Sequence, residues 1–175
     1  MIFYVLYYSY SKPISKESGL MWNKDKSLIL SRILTVAAAM AAIIVAFFIP
    51  AIAEWYEYEM SVEANSFFDR SSMFIPMCIT LYVCDALALA ALWNLNILLR
   101  NISKDEVFIK KNTSCLRRIS WICMGVGAVM MIFGLWSSIF IFFGMCALMF
   151  GLIMRVLKNV FEKAVEIKSE NDFTI

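Results

Sequence analysis

"ISWICMGVGAVMMIFGLWSSIFIFFGMCALMFGLIM", residues 119–154, is a run of 36 residues without a charged side chain. A single helix of that length would extend about 54 Å, whereas the hydrocarbon core of a bilayer is about 30 Å thick. The run must therefore fold back. We place the turn at "GLWSS", residues 134–138, because glycine loosens a helix, serines satisfy freed backbone groups and tryptophan suits the interface. Two short membrane spans, 119–135 and 138–157, are predicted.

Two further apolar runs come earlier in the chain. Residues 33–53 form 21 consecutive uncharged positions, which predicts a span over 28–53, and residues 71–99 form a longer run that only Asp85 interrupts. The chain of 175 residues is 62% hydrophobic, which exceeds the roughly 45–50% of soluble domains. We predict an all-α membrane protein with four transmembrane helices in two hairpins and a C-terminal cytoplasmic amphipathic helical extension over 158–175.

The positions of lysine and arginine predict the orientation. Fifteen of the 16 cations lie in or beside the N-terminal segment 1–27, the basic loop 100–118 and the tail 158–175. The acidic loop 54–70 holds one cation, Arg70, against five carboxylates. By the positive-inside rule, both termini and the basic loop are cytoplasmic. Aromatic side chains would then mark the two interfaces, with Trp55, Tyr56 and Tyr58 outside and Trp121 inside.

The first 20 residues have an apolar run that is too short to span a membrane. They have no basic region ahead of it and no small-residue cleavage site, so they make a poor signal peptide. Two interpretations are open. Residues 1–20 are an upstream extension of a protein that starts at Met21, or they form an aromatic segment that lies in the membrane interface.

Asp85 is the one acidic residue inside a predicted span. An ionised carboxylate at that depth costs at least a few kcal/mol. At helical spacing it shares a face with Cys78, Tyr82 and Asn96, which predicts an intramembrane polar stripe. Two interpretations are open: a protonated Asp85 that donates a hydrogen bond to another helix, or a site for an ion, a proton or a ligand.

The sequence lacks the residues that several kinds of catalytic, metal and phosphate-binding site require. The chain has no histidine, its five cysteines include no C-x-x-C motif, and no glycine-rich loop is followed by Lys-Ser/Thr. We expect no enzymatic activity, no metal and no cofactor. The net charge of +2 gives no reason to expect direct nucleic-acid binding. The glycines of "MGVGAVMMIFG" favour close helix packing. Small residues at four-residue spacing fit an ordinary four-helix bundle, with a homo-oligomer interface as the alternative: Ala37 with Ala41, Ala38 with Ala42, and Ala147 with Gly151.

The basic loop and the tail carry the candidate docking surface. Ser103 and Glu106 match a capping box, and Asn112 is a plausible N-cap of the third span. In the tail, Lys158 and Glu162 are spaced to pair, and an apolar stripe must cover headgroups, the basic loop or a protein partner. The stripe comprises Leu157, Val160, Phe161, Ala164 and Val165. The candidate docking residues are Lys104, Glu106, Phe108, Lys110, Lys111, Arg117, Arg118, Phe161 and Val165.

Two segments also carry a family resemblance. "LLRNISKDEVFIKKNTSCLRRISW", residues 98–121, and "VFEKAVEIKSENDFTI", residues 160–175, resemble the bacterial four-span membrane family catalogued as domain of unknown function 2975. The resemblance covers roughly residues 22–175. It implies a multi-pass protein of the bacterial inner membrane that is often encoded beside a small helix-turn-helix regulator. It implies no established activity and no catalytic residues.

Two functions from different classes follow. The leading hypothesis is a non-enzymatic membrane protein whose cytoplasmic face binds, or relays to, a helix-turn-helix regulator. The alternative is a small oligomeric transporter or immunity-type membrane protein in which Asp85 binds an ion, a proton or a ligand.

Overall fold

The computed structural model describes residues 17–60 and 73–172, with side chains described over 26–59 and 73–171. These residues form four helices and no strand: α1 Glu17–Met60, α2 Phe74–Ile102, α3 Lys110–Phe133 and α4 Ile139–Asp172. Each helix is long and apolar enough to cross a membrane. The prediction of an all-α chain with four such helices is confirmed, and the arrangement in two membrane hairpins stays a prediction.

The helices extend further than the predicted spans do. α1 continues to Met60, so the first part of the predicted acidic loop, 54–70, is helical. Residues 61–72 lie outside the described residues, as do residues 1–16 of the N-terminal segment. Within the predicted basic loop, 100–118, only residues 103–109 separate α2 from α3, so both helices extend into it. The charged residues of α3 in this segment lie on the exposed side of the helix, while Cys115, Leu116 and Ile119 are buried.

The chain folds back between α3 and α4 at residues 134–138, where the sequence predicts the turn. The two helices then cross closely through glycines. A Cβ atom built on Gly127 would lie 2.9 Å from the carbonyl oxygen of Gly144, and one on Gly144 would lie 2.9 Å from that of Gly127. Further along, the Ser120 hydroxyl donates a 2.8 Å hydrogen bond to the carbonyl oxygen of Gly151. Backbone contact of this kind is typical of membrane helix pairs.

An aromatic cluster closes the end of the bundle at this turn, which we call the turn end. Ala53 of α1, Met77 of α2 and Phe133 of α3 are buried together. The Phe133 ring meets Phe140 edge to face with centroids 4.7 Å apart. The Tyr56 hydroxyl forms a hydrogen bond with Ser137. Tyr56 therefore packs inward, and of the predicted outer aromatic belt Trp55 and Tyr58 are the exposed members.

A second cluster lies at the opposite end, beside residues 103–109, which we call the loop end. Leu98 of α2 and Cys115 and Leu116 of α3 are buried there, and Met154 and Phe161 of α4 pack against them. The sides of the bundle between the two ends expose large apolar side chains, such as Phe47 at 81% and Trp93 at 70%. A soluble monomer rarely exposes apolar surface on this scale, so the finding fits a surface covered by lipid.

The close crossing of α3 and α4 can be tested by substituting two glycines of α3. We expect Gly127→Ala to lower stability by about 1–3 kcal/mol, because the added methyl group meets a backbone carbonyl that cannot move independently. Gly125→Ala is the control, since its Cβ would meet only a Leu87 methyl carbon at 3.8 Å. There alanine should be neutral, or stabilising by up to about 1 kcal/mol. Thermal unfolding in detergent measures both, and equal shifts in the two variants would contradict the crossing.

Candidate functional site

Two buried asparagines hold the connection at the loop end. The Asn101 side-chain amide donates a 2.7 Å hydrogen bond to the Asn112 side-chain oxygen. The Asn112 amide in turn donates to the carbonyl oxygens of Glu106 at 2.7 Å and Val107 at 2.8 Å. Asn112 is completely buried and Asn101 is 5% exposed. Residues 103–109 are thereby tied to both flanking helices, and the carbonyl groups of Glu106 and Val107, which lie outside any helix, each accept a hydrogen bond.

The predicted helix caps in this segment are wrong. Ile109, in an extended conformation, occupies the N-cap position of α3, and Asn112 lies within the first turn of that helix. Ser103 is the C-cap of α2 rather than a member of a capping box. The chain reverses through Asp105 at φ 60°, a left-handed conformation that aspartate tolerates better than most residues do. Asn112 thus uses its hydrogen-bonding capacity on the loop instead of on the helix end.

The distal half of α4 packs beneath this connection. The Phe161 ring lies 5.8 Å, centroid to centroid, from the Phe108 ring, and Phe161 also contacts the buried cluster around Leu116. Of the three uses that the sequence left open for the apolar stripe, the structure shows contact with the loop. Leu157 and Val160 remain exposed at 40% and 59%. Phe108 and Phe161 are therefore structural partners of each other.

Charged side chains reinforce the same contact. An Arg117 guanidinium nitrogen lies 3.4 Å from a Glu162 carboxylate oxygen, and Lys158 pairs with Glu162 one turn apart, as predicted. The hydrogen bond from Lys158, with a further contribution from Arg117, holds the pKa of Glu162 below its usual value, although partial desolvation opposes this. Because this pKa is lowered, the stabilising contribution of the Glu162 ion pairs is fully present above the pKa of a free glutamate. It is lost as the pH falls through the pKa of Glu162 in the folded state.

A groove of about 730 Å³, which we call the polar groove, lies between the first turns of α3 and the distal half of α4. Both signs of charge line it: Lys110, Arg117 and Lys163 are positive, and Glu162 and Glu166 are negative. Hydroxyl groups and Val165 complete the lining. A mixed, partly apolar lining of this kind suits a complementary protein surface better than a uniformly anionic headgroup layer.

The structure places the nine candidate docking residues in three different environments. Lys110, Arg117 and Val165 line the polar groove, whereas Phe108 and Phe161 pack against each other. The other four, Lys104, Glu106, Lys111 and Arg118, are exposed outside the groove. Sequence reasoning missed Lys163 and Glu166, although Glu166 lies one helical turn after Glu162 on the same face. It also missed Asn101, for which no local signal exists because its partner is 11 residues away.

The intramembrane polar stripe of α2 does not form one cavity. Cys78 packs against the turn-end cluster, Tyr82 is 46% exposed, and the side-chain oxygen of Asn96 is buried without a hydrogen bond within the described residues. Asp85 alone lines a second groove, between α1, α2 and α3. The five cysteines are free thiols.

Comparison with known proteins identifies a family. The sequence model of a family described as "Protein of unknown function (DUF2975)" matches residues 58–175. That range holds the two segments on which the resemblance rests and begins near the end of α1, later than the residue 22 inferred from the sequence. Searches of curated proteins and of solved structures find no match.

The asparagine pair can be tested at the first turn of α3. We expect Asn112→Ala to leave the carbonyl groups of Glu106 and Val107 without their buried donor, at a cost of about 1–3 kcal/mol for each unsatisfied group. Limited trypsin digestion should then cut faster at Lys104 and Lys110, as measured by mass spectrometry of the fragments. Ser114→Ala, on the exposed side of the same helix, is the control. Unchanged cleavage in Asn112→Ala would show that the loop is held by other contacts.

Proposed function

Since the chain belongs to the DUF2975 family of proteins of unknown function, we propose its role from the geometry of the loop end: it is a non-enzymatic multi-pass protein of the bacterial inner membrane that binds a cytoplasmic regulator of the helix-turn-helix type. The basic loop, the tail and both termini lie in the cytoplasm in this proposal. The four helices cross the membrane as two hairpins, with the distal half of α4 as the cytoplasmic extension.

The polar groove is the observation that carries the proposal. It is large enough to admit several side chains of a partner, and it lies at the end of the bundle where the cations of α2, α3 and α4 are concentrated. The asparagine pair and the Phe108–Phe161 contact give it walls that are ordered before a partner arrives. A preorganised site loses less conformational entropy on binding, which favours recognition.

The class of partner follows from the residues that line the polar groove and from the gene neighbourhood that the family resemblance implies. Lys110 and Lys163 offer cations for acidic side chains, Glu166 offers an anion for basic ones, and Val165 adds apolar surface. A soluble helical protein can present all three. The frequent neighbourhood of a helix-turn-helix gene, which the family resemblance implies, supplies the specific candidate. A small transporter or immunity-type protein is the second candidate function, because Asp85 lines a separate groove within the helices.

Charge reversals on both walls of the polar groove test the proposal. The double variant Lys110→Glu with Lys163→Glu should weaken binding of the purified helix-turn-helix protein by roughly tenfold or more, because two favourable pairs become repulsive. The membrane protein is embedded in nanodiscs, and interferometry measures the affinity. The control, Lys111→Glu with Lys168→Glu, makes the same change of charge on the same two helices outside the groove and should have little effect.

Two results would refute this role. One is equal weakening in both double variants, which would reflect net charge instead of the groove. The other is a neighbouring helix-turn-helix protein that does not bind the unmodified chain at all.

The proposed orientation has its own test. A reporter that is active only in the cytoplasm should be active when fused after Asn112 or after Ile175 and inactive when fused after Phe67, because the cation-rich segments are retained inside. A reporter that is active only when exported should show the reverse pattern at each position. Export of the fusion after Asn112 would overturn the orientation and, with it, any cytoplasmic partner.

A further inference from the structure

A second groove, of about 320 Å³, runs between α1, α2 and α3, and we call it the Asp85 groove. α1 contributes Val45 and Ile52 to it, and α3 contributes Val126 and Met130. Asp85 of α2 is its one charged side chain, and Ala88 lies one turn further along the same helix. A single carboxylate thus faces walls made of hydrocarbon, open on one side to the surface of the bundle.

Asp85 lies deep within the apolar part of the bundle. It follows Phe74 by 11 residues, which places it about 16 Å along the helix axis. Among the residues whose side chains are described, its carboxylate has neither a hydrogen bond nor an ion pair. A carboxylate at such a depth is costly unless it has a partner, and intramembrane carboxylates of this kind mark ion or substrate sites.

The four described helices supply no countercharge at this depth, either in this chain or in a second copy. No lysine, arginine or histidine occurs in residues 33–69, 71–99 or 119–154, so no basic side chain reaches that depth from any of the four helices. A hard inorganic cation does not fit either, because it requires several oxygen ligands. Asp85 offers one carboxylate, and the described residues contain no cluster of three potential metal ligands.

We propose that the Asp85 groove binds a lipophilic organic cation. The positive charge lies against the Asp85 carboxylate, and the hydrocarbon part of the ligand packs against Val45, Val126 and Met130. Such an ion is weakly hydrated, loses little on leaving water, and gains both the ion pair and apolar contact. The site is separate from the polar groove, so it does not depend on the regulator-binding role.

Two probe ions of the same shape and opposite charge test the site. Tetraphenylphosphonium should bind saturably to the full chain in nanodiscs, in excess of its uptake by empty nanodiscs, as measured by equilibrium dialysis. Tetraphenylborate should show no saturable excess, because the carboxylate repels it. Saturable binding of both ions, or of neither, would overturn the proposal.

Charge variants then locate the cation. Asp85→Asn should weaken tetraphenylphosphonium binding by roughly tenfold or more, because a desolvated ion pair is lost. Glu59→Gln is the matched control, since it removes one carboxylate from the exposed end of α1, outside the groove. It should leave the affinity unchanged, and equal weakening in both variants would overturn the assignment to Asp85.

A pair of bulky substitutions tests the same site without changing any charge, and it remains decisive if Asp85→Asn fails to fold. Ala88→Trp places a large side chain in the groove and should abolish saturable binding, whereas Ala90→Trp, at an exposed position of α2 outside the groove, should preserve it. Retained binding in Ala88→Trp would show that the cation does not occupy the groove. Monodisperse elution and helical content confirm that the variants compared are folded.

Discussion

The close approach of α3 and α4 at Gly127 and Gly144 is the contact on which the rest of the architecture depends. Because neither residue has a side chain, the two helix backbones meet, and they remain in register along their length. The Ser120 to Gly151 hydrogen bond, the Phe108–Phe161 contact and the Arg117–Glu162 pair all lie further along the same crossing towards the loop end. The polar groove between α3 and α4 is a consequence of this register.

Polar side chains find different hydrogen-bond partners at the loop end and within the bundle. At the loop end Asn101 and Asn112 satisfy each other and two backbone carbonyl groups, so the seven residues 103–109 are held without a hydrophobic core of their own. Within the bundle, Asn94 turns its amide back to the carbonyl oxygen of Ala90, one turn earlier on its own helix. Asp85 forms no hydrogen bond and no ion pair with any residue whose side chain is described. In our proposal Asp85 therefore meets an external partner, whereas the Asn94 amide has a backbone partner on its own helix.

The two grooves differ in the same physical terms. The polar groove lies at an end of the bundle, carries both signs of charge, and offers a surface on which water is displaced only in part. The Asp85 groove lies among apolar residues, where one charge has few competing interactions and dominates the choice of ligand. A soluble macromolecule therefore suits the first, and a small ion that partitions into a membrane suits the second.

The sequence by itself determined the class of the protein, because its three long apolar runs, one of which must fold back, can satisfy their backbone groups in lipid only as helices. It also determined the turn at residues 134–138, because 36 uncharged residues exceed one crossing, and the pairing of Lys158 with Glu162, because both lie on one helix. These are local or compositional properties. The exact start of a helix was less accessible, since Asn112 has a side chain typical of an N-cap, whereas α3 begins at Lys110, after Ile109.

Only the tertiary structure decided which residues meet. The sequence suggests a helix cap for Asn112, but the structure pairs it with Asn101. It suggests an interfacial aromatic residue for Tyr56, but the structure bonds its hydroxyl to Ser137, 81 residues away. Likewise, Cys78, Tyr82, Asp85 and Asn96 share one face of α2, but the neighbouring helices leave only Asp85 in a groove. The physical reason is common to all three cases: helical periodicity places residues around one axis, whereas the partner of each depends on how closely separate helices approach.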